Sequence, residues 1–72
     1  MAHSTSFQLE QRTKLISLET YENMLSLGEL EKTQETPKNL ISTYGIRFDE
    51  EKGGVFLWSG SMQRYYLIAK RK

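Results

Sequence analysis

After Gly45 the chain is cut twice by turn-forming composition, at Asp49-Glu50-Glu51-Lys52-Gly53-Gly54 and again at Ser59-Gly60-Ser61. The pieces left over are Ile46-Arg47-Phe48, Val55-Phe56-Leu57-Trp58 and Arg64-Tyr65-Tyr66-Leu67-Ile68-Ala69, all rich in β-branched, aromatic or alternating residues. Short runs of this kind between short turns predict three consecutive strands paired antiparallel, a β-meander.

Upstream of Gly45 the period is helical. Leu18, Tyr21, Met24 and Leu25 make one stripe. Ser17 precedes them as an N-cap, Glu19 and Glu22 suit the positive end of the helix dipole, and Gly28 is placed to stop the helix. A helix over 18–27 is predicted. Thr36-Pro37 predicts a second start, with Thr36 as cap and Pro37 in the first helical position, where its missing N–H costs nothing. Leu40, Ile41 and Tyr44 give that helix an apolar side and Gly45 ends it, so a short helix over 37–44 follows. Glu29–Glu35 is polar apart from Leu30 and reads as a ragged extension or a loop. In 7–16, Phe7, Leu9 and Leu15 share one parity, which predicts an added N-terminal strand. The Gln, Glu, Arg and Lys of the same stretch favour a helix instead. Residues 1–6 are small and polar and are expected to form a disordered tail. The predicted fold is a single small α+β domain over 7–72, two short helices packed on a small antiparallel meander.

Size limits what such a domain can do. The chain has 72 residues, no Cys and a formal net charge of +1. A domain this short buries only about 60% of the surface of its unfolded chain. Its net stability is then roughly 3–5 kcal/mol at best. Disulfides and thiolate metal sites are excluded, so a protein partner or a self-dimer is expected to contribute. The composition has no membrane-spanning run and no secretory signal, and the lack of Cys fits a cytoplasmic setting. A regulator of phage or mobile-element type would have this size.

Charge divides along the chain. Residues 1–36 carry Arg12, Lys14 and Lys32 against six glutamates, and no acid follows Gly53. A basic C-terminal half suits a polyanion. It also suits simple attraction to the acidic half.

The last hairpin offers the best candidate surface. With Gly60-Ser61 as a two-residue turn, Leu57 faces Arg64 and Phe56 faces Tyr65. Val55, Leu57, Tyr66 and Ile68 then share one face, and Phe56, Trp58, Tyr65, Leu67 and Ala69 the other. Two helices cover one sheet face only. The aliphatic face is the better core, which leaves the aromatic one open. Phe56, Trp58 and Tyr65, rimmed by Arg47 and Lys70, form a candidate partner-binding site, because Trp, Tyr and Arg dominate interface energetics.

Catalytic chemistry is poorly provided for. The only His is His3, in the expected tail, and the acids of 49–51 read as a solvated turn without the alternating ligands of a Ca²⁺ loop. No cofactor, metal site or enzymatic activity is expected. The favoured function is a small regulatory or adaptor protein that binds a larger protein through its C-terminal hairpin. The alternative is a DNA-binding regulator of winged-helix type. Helix 37–44 would then present Lys38, Asn39, Ser42 and Thr43 to the major groove. Arg64, Lys70, Arg71 and Lys72 of the hairpin would reach phosphates.

Overall fold

The computed structural model describes residues 6–72, and within them the side chains of 8–41 and 45–72. The expected tail at 1–6 lies outside the described residues except for Ser6, which opens a helix. Three helices and five strands run in the order α1 (Ser6–Arg12), β1 (Lys14–Ile16), α2 (Leu18–Ser26), β2 (Leu30–Lys32), α3 (Lys38–Tyr44), β3 (Ile46–Phe48), β4 (Gly54–Ser59) and β5 (Arg64–Arg71). The domain is α+β, as its patterning predicts.

The ends of α2 are set locally. Ser17 is extended, and its hydroxyl accepts the Thr20 N–H at 3.0 Å. At the other end Gly28 takes φ +79°, donating to Leu25 O while Glu29 donates to Met24 O. These two bonds satisfy the last carbonyls of the helix and reverse the chain. The reversal places Leu30, only 2% exposed, in the core at the start of β2. Residues 30–32 are therefore a strand, where the sequence suggests loop or helix.

The start of α3 differs from the expected cap. Pro37 itself is the N-cap residue, with ψ 135°, and its carbonyl accepts the Leu40 N–H. No side chain caps the helix, and Thr36 Oγ1 is buried with no partner.

The segment 7–16 is divided between the two readings: its first part is α1 and its last three residues are β1. All strand pairs are antiparallel, in the order β1-β3-β4-β5-β2. The meander β3-β4-β5 forms the centre as expected, and the two short strands flank it.

The hairpin register corrects the sequence reading. Leu57 faces Tyr66 and Trp58 faces Tyr65, two residues on from the pairing a two-residue turn imposes. The loop is longer because the Ser59 hydroxyl accepts the Met62 N–H, and the left-handed position falls on Gln63 (φ 54°), not on Gly60. A shift of two leaves every side chain on its predicted face. A bulge changes that for one residue. Phe56 pairs with Leu67 but Val55 pairs with Ala69, so Ile68 is the extra residue. Ala69, expected on the aromatic face, turns into the core, and Ile68 and Ala69 are both fully buried.

The core lies between the aliphatic sheet face and α2 with α3. It contains Ile46, Val55, Leu57, Ile68 and Ala69 from the sheet, Tyr21 and Ile41 from the helices, and Leu30 and Phe48. The opposite, outer face of the sheet carries α1.

Candidate functional site

Pairing and alternation place two rows on the outer face. Across β1, β3, β4 and β5 run Leu15, Arg47, Phe56 and Leu67, each opposite the next. One step toward the hairpin tip sit Trp58 and Tyr65, whose rings meet edge to face at 5.1 Å. Arg47, Phe56, Trp58, Tyr65 and Leu67 are all half-buried, and Leu15 is 63% exposed. The structure brings Arg47, Phe56, Trp58 and Tyr65 onto one surface. Lys70 pairs with Gly54 and Glu31 at the far end of β5, away from the Trp58–Tyr65 pair.

Part of this face is occupied from within the chain. Arg47 donates from Nε to Thr13 Oγ1 at 2.9 Å and from Nη2 to Glu10 O and Thr13 O. The Tyr65 hydroxyl donates to Glu10 Oε2 at 2.6 Å. Leu9 and Thr13 are buried there, and Leu9 lies outside the main core cluster. Burial first, and then the hydrogen bond to Glu10, raise the Tyr65 phenol above its ordinary value, so it stays a neutral donor. The expectation of a face left bare by two helices is corrected by this third helix, which covers the Arg47–Tyr65 part.

At the hairpin end a groove of about 720 Å³ opens between Trp58 and Tyr66, with Leu40, Gln34 and Met62 on its walls. Met62 is 50% exposed, and Arg64 Nη2 lies 3.8 Å from its sulfur. Leu40, Met62 and Gln34 were not legible as site residues. They belong to three separate segments that only the folded chain brings together.

Asp49 also departs from its sequence reading. It is fully buried, where the composition suggests a solvated turn. Its Oδ1 accepts the N–H groups of Glu51 and Lys52, and its Oδ2 pairs with Arg12 Nε at 2.9 Å. Burial alone would raise its pKa, but the Lys52 N–H, the Arg12 guanidinium and the Glu51 N–H together hold it below the ordinary carboxylate range. The signal available in sequence was an Asp opening a turn, the position from which Asp captures backbone N–H groups. The arrangement ties α1 to the β3–β4 turn and is structural.

The residues named for DNA are placed as follows. Lys38 Nζ is 2.9 Å from Glu22 Oε2, and Asn39 is exposed. Ser42 and Thr43 have side chains outside the described residues. Arg64, Lys70, Arg71 and Lys72 are exposed, and the Arg71 guanidinium stands 5.5 Å over the Phe48 ring. Among the described residues no group of three His, Cys, Asp or Glu side chains could hold a metal, and no helix is long and apolar enough to cross a membrane. No family model, curated protein or solved structure matches the chain.

Proposed function

We propose that this is a small non-enzymatic regulatory or adaptor protein that binds a larger protein partner in the cytoplasm through the free part of its hairpin face. The observation that carries this reading is Trp58. Its ring stays partly exposed at the hairpin end, where it meets Tyr65 and borders a groove with both polar and apolar walls, and it takes no part in the core on the other sheet face. Large aromatic rings left at a groove edge are the usual anchors of an interface. Duplex DNA has less support. β2 separates α2 from α3 where a helix-turn-helix has a short turn.

Trp58→Ala is expected to fold like the parent and to weaken partner capture or self-association by about 2 kcal/mol or more, roughly thirtyfold. Sedimentation and affinity capture from lysate, run on parent and variant, measure this. Equal capture by both would exclude the hairpin face. A blue-shifted, quencher-protected Trp58 in dilute monomer would do the same. A gel shift with duplex DNA at two salt concentrations separates the alternative, since phosphate binding weakens steeply with salt.

A further inference from the structure

Met62 lies in the loop that joins β4 to β5, and its side chain is 50% exposed. The loop is closed by its own contacts. The Ser59 hydroxyl accepts the Met62 N–H, and the Gln63 side-chain amide donates to Gly60 O at 2.7 Å. Met62 therefore stands at the surface of a defined turn, and a small reagent reaches it without unfolding the domain. Met24, by contrast, is partly buried and packs against the main core.

The Met62 sulfur has a charged partner. Arg64 Nη2 stands 3.8 Å from Sδ and donates to it. A thioether is a weak acceptor. A sulfoxide oxygen carries a large partial negative charge and accepts much better, and a charged donor roughly doubles the strength of such a bond. Among the described residues no carboxylate pairs with Arg64, which leaves its guanidinium free to take that oxygen. Met62 also borders the same groove as Trp58, so a change of polarity at its sulfur falls on the wall of that groove.

We propose that Met62 is a site of oxidation by a hydroperoxide such as hydrogen peroxide, and that the Arg64 guanidinium holds the sulfoxide that forms. A sulfur lone pair makes the S–O bond as the O–O bond of the peroxide breaks. The proton on the transferred oxygen passes to the departing hydroxide, which leaves as water. Sulfur loses two electrons and the peroxide gains them. A rotation about the terminal bonds of the exposed side chain turns the new oxygen to Arg64. The flexible apolar side chain becomes a polar one tied to a cation. This chemistry stands whatever the groove at the hairpin end binds.

The test is peroxide treatment of the folded full chain, followed by peptide mass spectrometry and by NMR of the isotope-labelled protein. Met62 is expected to oxidise about tenfold faster than Met24, or more, because oxidation follows exposure. Once Met62 is oxidised, the Arg64 Nε–H and the Trp58 indole N–H are expected to shift, while the core amides of Leu57 and Ile68 stay in place. Met62→Leu, which keeps the other methionines, should show neither shift after the same treatment. Equal rates at Met62 and Met24 would overturn the site. An Arg64 Nε–H that stays put after Met62 is oxidised would overturn the role of Arg64. Shifts that persist in Met62→Leu would assign the response to another residue and end the proposal.

Discussion

Leu57→Ala is expected to leave the protein largely unfolded at room temperature. Leu57 is fully buried at the centre of the sheet, opposite Ile46 on one side and Tyr66 on the other, beneath the helices. Emptying such a site costs roughly 2–5 kcal/mol, from lost burial and from the cavity left behind. A domain of this length has only about 3–5 kcal/mol in total. Thermal and urea melts followed by circular dichroism measure the loss. Leu27→Ala is the control, because Leu27 is 73% exposed and its truncation should change stability by no more than about 0.5 kcal/mol. A Leu57→Ala protein that melts with the parent would mean that the sheet packs inside out.

Asp49→Ala is expected to be the next most damaging change, at about 3 kcal/mol. It leaves Arg12 without its carboxylate and two turn N–H groups without an acceptor. The same contacts make a statement about pH. The folded carboxyl titrates below the ordinary value of 3.8, so between the two the unfolded chain binds the extra proton. The contribution of Asp49 is therefore fully present above about pH 4 and drains away as the pH falls through the lower folded value. Urea melts between neutral pH and about pH 2 should show the parent losing stability over that window. Asp49→Asn should start less stable and lose less. Parallel curves for the two proteins would show that Asp49 is not held ionised by Arg12 and the turn.

The chain's own patterning determines the meander, the position of α2 and the division of the hairpin into an aliphatic and an aromatic face. These features rest on local causes. Ser17 caps through its own side chain, Gly28 takes a positive φ at the helix end, and strand alternation survives a register shift of two. The aromatic part of the candidate site was legible for the same reason.

Tertiary structure decided the rest. β1 and β2 have three residues each, too few to carry a period, and they exist because β3 and β5 offer edges for them to pair with. The stretch 7–16 supports helix and strand about equally, and contacts of Glu10 and Thr13 with Arg47 and Tyr65, distant in sequence, place its first turns on the outer face. Asp49 is buried because Arg12 comes back to meet it from 37 residues away. The bulge that turns Ala69 inward depends on how β5 meets Val55 and Phe56, which no window of local sequence contains. The groove at the hairpin end likewise joins residues 34 and 40 to residues 58–66. Local hydrogen bonds and periodicity act within a few residues and can be read there, whereas non-local pairing and burial are properties of the closed chain.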